Sequence, residues 1–345
     1  MWKSLLRLFI AIVIILSVMI ILVGFLSTTL FIRLLDFENY LSATRILWHG
    51  QNPYGTVEFF SPPWFAILIL PLTQLPIEIS TSVWLLLLVL CTVGSVGLSL
   101  RWLGNVPKAE ALLFIILVPT LMPGALYSYI TGQISPVVNM MALLVAYNIA
   151  SFSTSLWIPI LAILVVTLKP HIVALPIGLC MMELVRQRHW RAIVGIIGSL
   201  VILFVLAFAI LPDWLSSMLN ALVQGKYRGG PGLISPGYVG LRELGTPSWA
   251  FLPQIAYVLF RWWRDGLNAH LFALALVTNL LVLPYSRSYD FVVFILPLLV
   301  LAKFESWRNW PGFALAITCV FVLPWTSLSV ITPVLLAIAL LLKCD

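Results

Sequence analysis

The residues able to do chemistry in this chain are few and they cluster. Asp36 and Glu38 stand two positions apart, directly beyond a long apolar run. A carboxylate within hydrogen-bond reach of a hydroxyl can take its proton as a new bond forms. Two carboxylates at this spacing can also hold a divalent cation, although no His/Cys/Asp cluster fixes a protein-only metal site here. Lys169 and His171, in "LKPHIVALP", and Arg287, in "PYSRSYDF", are cations able to steady charge on a departing anion. Lys226 and Arg228 lie in the glycine-rich "NALVQGKYRGGPGLISPGYVG", which could fold over an anionic or sugar-like substrate. It is not a P-loop, since the spacing G-x-x-x-x-G-K-[ST] is missing. Gln133, in "TGQISP", carries an amide suited to hydroxyl groups.

Each of these has a plainer alternative. Asp36 suits a helix N-cap, and Glu38 a solvated first-turn carboxylate favoured by the helix dipole. Lys169 and His171 could snorkel from a helix break to the interface. Arg287 could be an ordinary loop arginine, Lys226 and Arg228 a loop against anionic headgroups, and Gln133 a turn residue satisfying backbone.

The elements that carry them follow from composition. The 345 residues are 62% hydrophobic and 9% charged, against roughly 25% charged residues in soluble domains. The strand-period alternation of a β-barrel is lacking, so the class is an all-α polytopic membrane protein whose spans satisfy their own backbones. The net charge of +7 falls in short loops between apolar runs. It reads as the positive-inside signal rather than as a nucleic-acid surface. Cys91, Cys180, Cys319 and Cys344 are scattered without metal or disulfide spacing.

The opening "MWKSLLRLFIAIVIILSVMIILVGFLSTTLFI" is too long for a signal peptide and reads as a first transmembrane helix, entered from the cytoplasm. Further candidate spans are 79–100, 109–128, 134–152, 155–168, 170–185, 192–211, 249–263, 267–285, 289–303, 311–325 and 328–342. Residues 63–76 are apolar but short and broken by Pro71 and Pro76, a half-crossing or a short full span. Treating 63–100 as one net crossing keeps the basic loops, including Arg186, Arg188 and Arg191, on one side. That gives about twelve crossings with both termini cytoplasmic. The polar oddities then share the extracytoplasmic side, in loops 33–62 and 212–248 of a single domain spanning 1–345.

Within the first loop, Phe37 to Trp48 suits a short amphipathic helix with Tyr40, Ala43, Thr44 and Leu47 on one face. His49-Gly50 stops it, Asn52-Pro53 begins a turn, and Pro62-Pro63 preorganises the next helix.

Here the chain resembles a known family. "DFENYLSATRILWHGQNPYG" followed by "FFSPPWFAILILPLTQLP" is similar to the opening of glycosyltransferase family 87, in the GT-C superfamily. The matching residues are Asp36, Phe37, Tyr40, Ala43, Leu47, Gly50, Pro53, Tyr54, Pro62, Pro63, Pro71, Leu72 and Pro76. "TGQISP" and "LKPHIVALP" resemble later family segments, whereas the C-terminal third departs, offering only "PYSRSYDF" where the family has a Ser/His-containing loop.

The resemblance implies a GT-C-type bundle and a hexosyltransferase of a plasma (inner) membrane, of bacterial type. Its donor would be a polyprenyl-phosphate sugar, most commonly mannose, and its acceptor a glycolipid or cell-envelope glycan. Asp36 becomes the general base; Lys169, His171 and Arg287 become donor-phosphate contacts. Glu38, Tyr40, Tyr54, Gln133, Lys226 and Arg228 become substrate contacts, with no cofactor demanded. The alternative from another class is a transporter or flippase. That class places ionisable residues near mid-membrane and often shows an inverted repeat, whereas here polar residues gather toward one face.

Overall fold

The computed structural model describes residues 34–104, 106–151, 157–223, 252–282, 286–302, 318, 320 and 332–342. The expected first span, most of the span at 311–325, most of the loop 212–248 and with it Lys226 and Arg228 lie outside the described residues. So do Cys319 and Cys344; Cys91 and Cys180 are buried thiols.

The described residues are helical, with no strand beyond an isolated bridge between Tyr54 and Val57. In chain order, α1 is Leu35–Trp48, α2 Pro63–Ile69, α3 Ile77–Leu103, α4 Lys108–Leu121, α5 Pro123–Thr131, α6 Ser135–Ala150 and α7 Trp157–Val166. Then follow α8 Ala174–Arg186, α9 Trp190–Ile210, α10 Trp214–Val223, α11 Leu252–Asp265, α12 Ala269–Val282, α13 Ile295–Leu301 and α14 Thr332–Leu342. Short 3-10 helices occupy Leu70–Gln74, Pro170–Val173 and Ser288–Phe294.

Among the described residues, α3 and α9 are each long and apolar enough to cross a bilayer, and the bent pair α4 and α5 would make a third span. That pair turns by 46° at its break, where Pro119 removes a backbone donor inside α4 and Pro123 opens α5. The described residues do not by themselves establish the expected count of about twelve crossings. α6, α7, α8, α12 and α14 have 16, 10, 13, 14 and 11 residues. At 1.5 Å per residue each rises about 15–24 Å, short of the roughly 30 Å hydrocarbon layer. Short legs are tolerable where neighbours bury their ends, because irregular backbone at membrane depth survives only inside protein. α12 fits that account, since Leu271 through Leu281 are all buried.

Two ends can be told apart by contacts. At one, Arg101 lies over the Tyr147 ring, Gln187 reaches the Ile149 carbonyl, and Trp262 donates to buried Glu183, which also pairs with Arg186 at 3.1 Å. Among the described residues, the basic segments around Arg101, Arg186 and Arg261 thus share one end. At the other end sit α1, α2, α10, the turn before α6, and the junctions 167–171 and 286–290. Residues 63–74 stay there: α1 packs on both α2 and Leu70–Gln74. Ser80 of α3 donates to the Leu72 carbonyl at 2.6 Å, and Trp84, one turn on, donates to the Gly132 carbonyl at 2.8 Å. Residues 63–76 thus begin and end at the same end of the described helices.

Candidate active site

α1 takes the form its pattern predicts. Phe37, Tyr40, Leu41, Ala43, Thr44 and Leu47 are buried, His49 follows the last turn, and Gly50 adopts a positive φ of 71°. Phe37 stacks on Trp84 with ring centroids 4.9 Å apart, and Tyr40 meets Phe65 edge-on at 4.9 Å. These aromatic contacts hold the helix along its length. The N-cap position belongs to Leu34 and has no side-chain cap, while Asp36 lies within the first turn. Asp36 is therefore not the cap that its residue type also allowed.

Gly132 brings α1 to the site. Its φ is +74°, and a Cβ there would stand 2.7 Å from the Phe37 Cβ and 3.0 Å from that of Leu34. The glycine ends α5 in the left-handed region and lets α1 rest directly on the turn. The next residue, Gln133, then lines the same cavity as Asp36 and helps hold the Asp36 carboxylate in its charged form.

The second wall comes from the junction of α7 and α8. Lys169 is buried, and its Nζ donates to Asp290 Oδ1 at 2.6 Å, Ser135 Oγ at 2.8 Å and Gln133 Oε1 at 3.3 Å. It also lies 4.3 Å from the Tyr289 ring centroid. Asn279 of α12 pins the junction, donating to the His171 carbonyl at 2.8 Å and accepting from the Leu175 amide at 2.9 Å. Asp290 is wholly buried; its Oδ2 accepts the Arg287 amide at 3.0 Å and its Oδ1 accepts Ser135 at 3.0 Å. Gly124 permits this wall to close, since a Cβ there would stand 2.5 Å from the Val292 nitrogen.

Between the walls is a cavity of about 820 Å³. Its polar end is lined by Asp36, Tyr40, Glu58, Gln133, Lys169, His171 and Tyr289. Its other flank is apolar, formed by Trp64 of α2, Leu200 and Phe204 of α9, and Trp214, Leu215 and Met218 of α10. Trp214 packs edge-on against Trp64 and Phe204, at 5.7 and 5.6 Å. Asn52 in the first loop bonds Asp213 and Ser217 at 2.9 Å each, tying α10 over the opening.

Burial pushes the Asp36 carboxyl above its usual range, opposed by the Gln133 hydrogen bond and by the charges of Lys169 and Arg287, while Glu58 adds to the rise. Burial, helped by Lys169, lowers His171 to about 4, so at neutral pH it is an uncharged imidazole. It can meet a phosphate as a hydrogen-bond partner but not as a cation.

The structure therefore gathers Asp36, Tyr40, Gln133, Lys169 and His171 around one cavity, with Arg287 near enough for its charge to act on Asp36 and Lys169. Glu38 and Tyr54 are not among the lining residues; Tyr54 is buried and donates to the Ser61 carbonyl at 2.8 Å, bracing the loop. Sequence reasoning passed over Asp290, Ser135, Glu58 and the apolar flank. A signal for Asp290 existed: it is an ionisable residue at the head of "DFVVFILPLL", an apolar run where such groups are costly.

Residues 59–284 match the sequence model of glycosyltransferase family 87. Asp36 lies before the matched stretch, and Arg287 and Asp290 lie after it. No curated protein and no solved structure matches the chain.

Proposed function

The chain belongs to glycosyltransferase family 87, and from that premise we propose that it moves a sugar, mannose being our choice, from a polyprenyl-phosphate donor to a glycolipid or cell-envelope glycan. The reaction takes place on the extracytoplasmic face of a bacterial plasma membrane, within a GT-C-type bundle of about twelve crossings. The observation that carries this reading is the two-sided cavity, with the Asp36 carboxylate and the Lys169 ammonium among its polar lining and an aromatic, aliphatic flank beside them. An amphiphilic donor has that same division, and its tail can remain in lipid while its phosphosugar meets Asp36.

In the reaction, the acceptor hydroxyl oxygen forms a bond to the anomeric carbon as the bond from that carbon to the phosphate oxygen breaks. Asp36 accepts the hydroxyl proton, and the polyprenyl phosphate departs with the bonding electrons. Attack opposite the leaving group inverts the anomeric centre. Positive charge from Lys169 and Arg287 stabilises the leaving phosphate, which gathers negative charge in the transition state. Glu58, beside Asp36 in the cavity, is placed to receive acceptor hydroxyls.

The test uses purified protein in lipid with labelled polyprenyl-phosphate mannose and a mixture of glycolipid acceptors. Wild type transfers label, and Asp36→Asn, matched for folding, loses about 100-fold or more of the rate. Transfer retained by that variant removes Asp36 from the chemistry. No transfer from any of several polyprenyl-phosphate sugars shifts the reading to a transporter of such lipids.

A further inference from the structure

A lysine ammonium has three N–H donors and no acceptor. In this structure all three of Lys169 have takers: Asp290, Ser135 and Gln133. Lys169 can lend charge to a bound phosphate, but it has no N–H left to give one without surrendering a bond that it already makes. The same chemistry fixes Gln133. Because lysine only donates, the Gln133 atom facing it is the carbonyl oxygen, which also accepts from Tyr40 at 3.1 Å. The other end of the amide, its NH2, is thereby kept clear of those two partners, in the cavity that Asp36 also lines, where it favours the charged carboxylate. Gln133 is buried and its acceptor is doubly used, so it is poorly placed to read sugar hydroxyls.

We propose that Gln133 is a positioning residue for Asp36, with its amide orientation imposed by Lys169 and Tyr40, and with Lys169 held in turn by Asp290 and Ser135. This rests on the reading of Asp36 as the base. The chain runs from the wall at 286–290 to α1 and joins the two halves of the site. An amide donor on one side of the Asp36 carboxylate leaves its second oxygen to accept the acceptor's proton. Without Gln133 the carboxylate would be both less well aimed and less well stabilised in its charged form.

The sign of the effect on pH dependence follows. Asp36 works only when ionised, so transfer falls as pH drops through its pKa. The charged groups acting on it are Lys169 of the α7–α8 junction, Arg287 of the 286–290 wall and Glu58 of the first loop, while Tyr40 of its own helix, His171 and Tyr289 line the same cavity. Replacing Gln133 by methionine removes a donor to the carboxylate and leaves those groups in place. The acid limb of kcat/KM then moves to higher pH, by about one unit for a charged hydrogen bond of ordinary strength.

The experiment measures kcat/KM against pH for wild type, Gln133→Met and Tyr40→Phe in lipid, with Asp36→Asn and the Asp36→Asn/Gln133→Met double variant at one pH. Tyr40→Phe deletes one hydroxyl, keeps the ring packing and moves the limb the same way by less; it decides the matter if Gln133→Met does not fold. The double variant is no slower than Asp36→Asn alone, because the amide acts through a group already removed. An acid limb that stays put or moves to lower pH, with Asp36→Asn inactive, overturns the proposal and leaves the base assignment standing. An active Asp36→Asn variant overturns the base assignment itself.

Discussion

The pair Lys169 and Asp290 shows how a buried charge can be misread from its residue type. In the sequence, a lysine beside a proline and a histidine looks like a cation waiting for an anion. In the fold the anion is already present, 2.6 Å away and wholly buried, so Lys169 is first a structural partner and second a source of field. Breaking such a pair by removing one member typically costs about 3–5 kcal/mol, while replacing both with apolar groups is often close to neutral. Asp290→Ala and Lys169→Met are thus each expected to lower the thermal midpoint markedly, and the double variant to recover much of the loss. A midpoint for the double variant equal to the summed losses would mean that the two charges do not depend on each other. Asp36 was legible because a carboxylate stood at the mouth of an apolar segment within a dense motif. Asp290 was not, because its partner lies 121 positions away and a single sequence does not print tertiary pairings.

At the scale of elements, the first loop was the most legible part of the chain. Its 3.6-residue apolar spacing gave α1 and its buried face, and its punctuation gave the stop at His49-Gly50 and the start at Pro63. Less legible was why "TGQ" has its glycine: a turn residue was expected, but the tight approach of α1 is a tertiary fact. Gly132 serves both needs, a positive φ and a Cβ-free surface beneath Phe37. Gly132→Ala should push α1 away from Gln133 and cut transfer by at least about tenfold, since small misplacements of a reacting group cost heavily. It should also lower stability. Gly97 of α3 is the control, because a Cβ there meets nothing within 4 Å. At such a helix position Gly→Ala is expected to stabilise by about 0.5–1 kcal/mol, leaving transfer unchanged. Equal outcomes for the two variants would mean that Gly132 is merely a helix end. Span lengths were the weakest reading, because hydropathy reports where a segment is apolar and not where a proline, a 3-10 turn or a neighbouring helix ends it.

For the whole molecule, the two ends and the flank between them set which substrate can enter and from where. Among the described residues, the basic segments around Arg101, Arg186 and Arg261 gather at one end and the cavity lies at the other. α9 joins the cavity to its surroundings. Leu200 and Phe204 line the apolar flank, while Val194, Ile197, Val201, Ile202, Val205 and Leu206 are exposed on the same helix. In a bilayer these exposed residues face lipid, and a prenyl tail could pass from the cavity into the acyl region beside them without crossing water. The apolar area that the flank offers grows with the tail it receives, at about 25 cal/mol per Å² of surface removed from water. Narrowing the flank should therefore affect long-chain donors more than short ones. Leu200→Trp is expected to raise KM for a full-length polyprenyl-phosphate sugar about tenfold, equivalent to roughly 1.4 kcal/mol, with kcat held within about twofold because the polar end is untouched. A donor carrying only two or three isoprene units should show little change. If KM rises equally for short and long donors, the tail does not run along α9 and the lateral opening has no part in donor selection.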